Sequence, residues 1–237
     1  MYKAILFDLD NTLLWNPMEV FYQAFDFENC LASLMPLETA IQALDVGFKA
    51  VDACEGNGLT IAATFWAAFC LVVGRRPEEL DSLVEQYFAK EFSKLQRITR
   101  TLPEARYVVE LAFERGLKVV IATGMLLPRT AVEQRLAWAG IPVTEFDYTL
   151  VADWDIMHAS KPYVGYYQEI LDYIGQVAEE CLMVGDNWEE DIVPAFNVGM
   201  AVYWIAEPDK ASPAPGLPLL GQGTLVDFWS WFKNEYK

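Results

Sequence analysis

Beyond Arg100 the chain alternates between helix-like and strand-like stretches, and this alternation limits its possible folds more than any other feature. PEARYVVELAFERG leads to LKVVIAT, PRTAVEQRLAWAG to DYTLVAD, PYVGYYQEILDYIG to CLMVGD, and EEDIVPAFNVG to MAVYWIA. Parallel strands need a long crossover, usually a helix, so the pattern predicts an α/β fold with a doubly wound, Rossmann-like parallel sheet. Each helical stretch closes on a glycine, at Gly116, Gly140, Gly175 and Gly199, as left-handed C-terminal caps require.

One strand, AILF, stands apart at the N-terminus. Between about Pro17 and Gln96 the signals are helical: LETAIQALDVGFKAVDA, IAATFWAAFCLVV and PEELDSLVEQYFAKEFSKL, punctuated by EGNG and GRRP. The expected organisation is a discontinuous α/β core of residues 1–14 and 99–237, interrupted by an all-helical unit over residues 15–98. IAATFWAAFCLVV, Ile61 to Val73, is too short to span a bilayer, which takes ~20 residues, and reads as a buried helix. A proline-rich loop, EPDKASPAPGLPLLGQG, then leads to an aromatic amphipathic helix near TLVDFWSWFKNEYK, expected to pack its tryptophans on the sheet domain.

With 237 residues and 54% apolar content the chain can bury a substantial core. Its 34 acidic against 17 basic residues oppose binding to nucleic acid or to an anionic membrane surface. Cys30, Cys54, Cys70 and Cys181 form no metal-binding spacing and read as reduced core thiols. The N-terminus meets Asp8 where a signal peptide would still be apolar, so a cytoplasmic location is expected.

In open parallel sheets ligands bind beyond the carboxyl ends of the strands. The first strand ends in FDLDNTL, with Asp8 and Asp10; VVIA ends in Thr123 and Gly124; LMVG ends in Asp186, with Asp191 five residues on; and the loop after DYTLVAD carries Lys161. Any one of these suits a turn. Together they make a constellation in which clustered carboxylates need a cation, and hard oxygen ligands suit Mg²⁺ bridging to a substrate phosphate. Asp8 and Asp10 would divide the roles of nucleophile and proton carrier, the Thr123 hydroxyl would donate to a phosphoryl oxygen, and Lys161 would neutralise growing charge.

FDLDNTL, the Thr123 of IATG, Lys161 before proline and GDNWEED resemble the four motifs of the haloacid dehalogenase (HAD) superfamily. The resemblance implies that Asp8 forms an aspartyl-phosphate, that Asp10 is the general acid/base, and that Thr123, Gly124 and Lys161 bind the phosphate. It also implies a Mg²⁺ site made by Asp8, the backbone carbonyl of Asp10 and Asp186, with Asp191 acting through water or in support. The helical insertion is similar to the family's C1 cap, which closes over the site. Asp10 favours phosphoryl transfer over carbon–halogen cleavage, and Gly124 departs from the asparagine common in relatives.

The activity expected is therefore that of a Mg²⁺-dependent phosphatase acting on a small phosphorylated metabolite, as a monomer or homodimer. A phosphomutase and a non-catalytic binding module are the alternatives. His158 reads as loop structure, Arg75 and Arg76 as a solvated turn, and Trp188 as either a wall of the site or packing.

Overall fold

The computed structural model describes residues 2–56, 58–124 and 127–234. The chain begins with β1 (Ala4–Phe7) and a short β2 (Leu14–Trp15), and continues through helices α1 (Met18–Ala24), α2 (Phe27–Leu31), α3 (Leu37–Asp52), α4 (Ile61–Val73) and α5 (Asp81–Gln86). After a π-helical turn (Tyr87–Glu91) and a 3-10 stretch (Phe92–Ile98) come β3 (Arg100–Thr101), α6 (Pro103–Glu114), β4 (Lys118–Ile121), α7 (Arg129–Trp138), β5 (Leu150–Val151) and α8 (Val164–Ile174). The last elements are β6 (Cys181–Gly185), α9 (Val193–Val198), β7 (Ala201–Ile205), β8 (Gly221–Gly223) and α10 (Leu225–Asn234).

Six strands form one parallel sheet in the order β5-β4-β1-β6-β7-β8, so the α/β, doubly wound architecture expected from the sequence is present. β1 is central and wholly buried, which explains why AILF carries no polar face. Phe7 pairs with Ile121 on one side and Val184 on the other, so the next residue of each strand emerges at the same edge. Gly116, Gly140, Gly175 and Gly199 all have positive φ, at 69°, 77°, 60° and 106°.

The regular elements described in the insertion between β2 and β3 are all helical, and it is entered and left through the antiparallel β2–β3 ribbon, where Leu14 faces Thr101 and Trp15 faces Arg100. Its α3–α4 connection is sewn to the loop preceding Lys161. Ile61 and Ala62 at the start of α4 donate their N–H groups to the carbonyls of Met157 and Trp154, and Ser160 donates its N–H to Cys54. These bonds satisfy helix-terminal donors that have no partner within α4.

Four local expectations change. The strand read in DYTLVAD shortens to Leu150–Val151. GQG, read as the end of a proline-rich loop, forms edge strand β8; a side chain at Gly221 would collide with the Tyr203 ring at 2.5 Å. α4 is not buried all round: Ile61, Phe65 and Phe69 face inward while Leu71 is 86% exposed. On α10, Trp229 and Trp231 pack on Tyr107 and Tyr203 of the sheet domain as expected, half-buried, while Phe228 and Phe232 are the fully buried residues. All four cysteines are free; Cys54 and Cys181 are buried, but Cys30 and Cys70 only partly.

Gly165, near the start of α8, faces the carbonyl oxygen of Glu55 in the insertion, where a Cβ would lie 2.7 Å from that oxygen. Alanine would gain about 1 kcal/mol of helix propensity and mask the clash, so valine, with a propensity nearer glycine's, is the cleaner probe. Gly165→Val is expected to cost about 1–3 kcal/mol and to lower the calorimetric melting temperature by several degrees; an unchanged melting temperature would contradict this packing.

Candidate active site

At the carboxyl edge of β1 the chain turns sharply. Asn11 takes φ = 61°, a left-handed conformation that asparagine tolerates better than most residues, and Leu13 and Leu14 both donate their N–H groups to the Leu9 carbonyl. This turn separates the two acids of FDLDNTL. Asp8 continues the strand, its N–H bonded to Val184, and carries its carboxylate toward β6, while Asp10 turns toward α7.

Asp8, Asp186 and Asp191 converge, each offering a carboxylate oxygen within 4.8 Å of the others. Lys161 is buried among them, and its Nζ donates to Asp8 Oδ1 at 2.9 Å and to Asp191 Oδ1 at 2.5 Å. Burial disfavours the ammonium, yet Asp191 and Asp8 outweigh that cost and hold Lys161 charged well above the usual lysine range. The other oxygen of Asp191 accepts the Asn187 N–H at 2.9 Å, so both its oxygens are engaged in anchoring Lys161 and the loop. Asp191 folds so tightly against β6 that a side chain at Gly185 would meet its carboxylate at 2.2 Å.

Asp186 has far weaker support, a 3.4 Å bond from the Thr12 hydroxyl. Burial, followed by the charges of Asp8 and Asp191, pushes its pKa up to about 8. Burial and Asp8 likewise lift Asp191 to about 7 against the pull of Lys161. One lysine does not compensate three carboxylates, two of them buried and the third partly so. The cluster fits a divalent cation with hard oxygen ligands, and Asp186, the least satisfied acid, has the most lone-pair capacity to offer.

Asp10 does not join this trio. Its carboxylate accepts from Asn16 Nδ2 at 2.8 Å and forms a short ion pair with the guanidinium of Arg135. Arg135 is wholly buried on α7 and also reaches the Thr123 hydroxyl at 3.4 Å. Thr123 itself is fully buried, and its carbonyl accepts from the Tyr166 hydroxyl at 3.0 Å. Arg135 escaped the sequence reading because an arginine amid AVEQRLAWAG resembles a solvated helix face. The missed signal was its spacing: Ala131, Val132, Arg135, Leu136 and Ala139 share one buried stripe.

The remaining candidates separate clearly. Gly124 lines the cavity over the acids; a side chain there would approach Glu190 Oε2 at 3.0 Å and Lys161 Cδ at 3.3 Å, so glycine leaves room for Glu190. Trp188 is buried against Trp204, whose indole N–H donates to the Asp186 carbonyl at 2.9 Å. His158 meets Glu169 at 2.6 Å, and Arg75 and Arg76 pair with Glu79. The cavity, about 270 Å³, lies between the acids and the insertion, touching Tyr22, Val51 and Asp52.

The family model for haloacid dehalogenase-like hydrolases matches residues 2–199. The chain belongs to this family. Among curated relatives, the glyceraldehyde 3-phosphate phosphatase of Pyrococcus abyssi is 27% identical over 212 residues, covering 86% of this chain and 81% of that protein. The HAD phosphatase from Thermococcus onnurineus shares the fold at 21% identity, with 96% of each chain covered and a TM-score of 0.58. The 2-haloacid dehalogenase from Pseudomonas syringae pv. tomato does so at 19% identity, covering 99% of this HAD hydrolase and 100% of its own chain, with a TM-score of 0.65. Among the described residues no helix is long and apolar enough to cross a membrane.

Two predictions follow from the charges. Because Asp186 and Asp191 have folded-state pKa values above the carboxylate range, the folded protein binds more protons than the unfolded chain between about pH 4 and 8. In chelator, stability should therefore fall as pH rises across that window. Lys161 adds no slope there, since its contribution is lost only above the ordinary lysine pKa. Added Mg²⁺ should raise the melting temperature more at pH 8 than at pH 5; equal shifts would show that these acids do not hold the cation. Removing the Asp10 partner with Arg135→Met should cost about 3–5 kcal/mol, the usual penalty for orphaning one side of a buried ion pair, measurable by urea unfolding. A loss below 1 kcal/mol would deny the pair its structural weight.

Proposed function

We propose that this HAD hydrolase is a phosphatase that releases inorganic phosphate from a small phosphorylated metabolite through an aspartyl-phosphate on Asp8. The observation that carries the reading is the buried cluster of Asp8, Asp186 and Asp191 around the Lys161 ammonium, facing a cavity. Asp10 favours phosphoryl transfer over the dehalogenation named for some structural neighbours, and the Pyrococcus abyssi relative is a phosphatase. Residues 15–98 serve as the cap, on a core of residues 1–14 and 99–237.

In this proposal Asp8 attacks phosphorus through a carboxylate oxygen, and the bond from phosphorus to the ester oxygen breaks. Asp10 supplies the proton that the departing oxygen needs, then removes one from the water that attacks the aspartyl-phosphate, which regenerates Asp8 and frees phosphate. Asn16 and Arg135 fix the Asp10 carboxylate so that one group serves both transfers. Lys161 stays charged throughout and is positioned to meet negative charge gathering on the phosphoryl oxygens. Gly124 leaves space for one of those oxygens, and Thr123 orders the loop beneath. Mg²⁺, held by Asp8, the Asp10 backbone carbonyl and Asp186 with Asp191 in support, would contribute charge neutralisation of the phosphate. Cytoplasmic action on a soluble metabolite is part of the same reading.

Asp8→Asn keeps the size of the side chain and removes the nucleophile. With Mg²⁺ present it should lower phosphate release by at least about 10³-fold, given that covalent and acid–base groups each contribute factors of about 10²–10⁴, while circular dichroism and melting temperature show the protein folded. Trapping of phosphate on wild-type protein but not on the variant would locate the intermediate; a variant with wild-type turnover would sink the proposal.

A further inference from the structure

The cavity over the acids has a second lobe of about 500 Å³, and the two share Tyr22, Val51, Asp52 and Gly124. The second lobe runs beneath α3, whose residues Ile41, Leu44, Phe48 and Val51 recur at helical spacing along its wall. Phe25 and Leu127 close it from other elements. α3 packs on α4 through the adjoining part of the same apolar stripe: Ala40, Ala43, Leu44 and Gly47 are buried, and Gly47 is so close to the Phe65 ring on α4 that a side chain would meet it at 2.6 Å. Leu44 is buried in the core and the Phe48 ring meets Phe65 of α4 at 5.2 Å, so this wall is anchored to the cap while part of it stays open. Ile41 is 51% exposed and Phe48 38%, an apolar wall left open beside a polar reaction centre.

The charges of the two lobes matter as much as their apolarity. Among the described residues lining both, Lys161 is the one cation, and it is committed to Asp8 and Asp191. The lobe under α3 contains Glu28 and Asp52, and Glu190 stands beside Gly124 at the junction. A carboxylate or second phosphate on the substrate would lie among these acids with no basic partner, an unfavourable like-charge placement in a partly desolvated site.

We propose that the lobe beneath α3 receives the leaving group of the phosphate monoester, and that this leaving group is apolar, aromatic or alkyl, and carries no second anionic group. The inference rests on the phosphatase reading and adds to it the chemical class of the ester. Continuity of the two lobes through Gly124 and Tyr22 supplies the path: the phosphate lies over Asp8 and the rest of the molecule extends along Ile41 and Phe48.

The test is a kinetic comparison, with Mg²⁺, of phenyl phosphate, glyceraldehyde 3-phosphate and phosphoglycolate, together with calorimetric binding of the same esters to Asp8→Asn. Phenyl phosphate should exceed the other two in kcat/KM by about 10- to 200-fold, the range for adding or losing an apolar contact in a pocket, and should bind Asp8→Asn more tightly. Ile41→Lys, a change at a half-exposed position, should lower kcat/KM for phenyl phosphate and raise it for phosphoglycolate; Phe48→Ala should lower only the first. Preference for phosphoglycolate or glyceraldehyde 3-phosphate, unmoved by Ile41→Lys, would overturn the inference and leave the phosphatase reading intact. No phosphate release from any ester, with phenyl phosphate still the tightest ligand of Asp8→Asn, would overturn the phosphatase reading while the lobe kept its apolar preference.

Discussion

The structure depends on a charge imbalance buried at the edge of its sheet. Asp8, Asp186 and Asp191 lie within reach of a single ligand, and Lys161 is the cation placed among them. Burial raises the cost of each negative charge, and the rise of Asp186 to about 8 measures how incompletely one ammonium offsets it. Such an arrangement is poor for stability alone, since apolar residues would pack there at less cost. Its persistence requires a surrounding frame that leaves the acids nowhere else to go.

That frame is the sheet register together with close packing at glycine. β1 lies between β4 and β6, so the residues that follow Phe7, Ile121 and Val184 emerge side by side, and the helix-bearing loops must converge above them. Gly185 admits Asp191 against the strand, Gly165 admits the Glu55 carbonyl of the insertion, and Gly124 admits Glu190. The loop that presents Lys161 is also the loop to which α4 is hydrogen-bonded, through Met157 and Trp154. Placement of the lysine and docking of the helical insertion are consequently one structural problem, and displacement of the insertion would strain the loop that holds the cation.

The parts legible in the sequence are those governed by local pattern. Strand ends, glycine caps and the βα alternation are short-range features, and from them the sheet and the convergence of Asp8, Lys161, Asp186 and Asp191 could be anticipated. Arg135 was not anticipated because its burial depends on a partner 125 residues away, although its place on the apolar stripe of α7 carried the clue. The separation of Asp10 from the other acids has the same origin, since only the folded structure brings Arg135 to it. β8 was missed because GQG has no strand propensity of its own; it pairs because the Tyr203 ring needs a neighbour without a side chain. The aromatic C-terminal helix does pack its tryptophans on the sheet domain, and helical phase also buries Phe228 and Phe232, four residues apart with rings stacked at 5.3 Å.

Helix α3 shows why substrate choice is harder to read than fold. Its sequence LETAIQALDVGFKAVD forms one amphipathic helix whose broad apolar stripe has two adjoining parts with different purposes. The small residues, Ala40, Ala43 and Gly47, allow close approach to α4, and the large residues beside them, Ile41, Leu44 and Phe48, line the cavity, with Leu44 also buried and Phe48 in contact with Phe65. Periodicity reports only that both are apolar. Side-chain size distinguishes them, because a helix–helix contact at short distance selects glycine and alanine, whereas a wall open to ligand has no facing backbone and can carry isoleucine and phenylalanine. Where one helix carries such a division beside a reaction centre, the large residues are the ones on which differences in leaving-group shape register as differences in binding energy, and the small residues hold the helix against its neighbour.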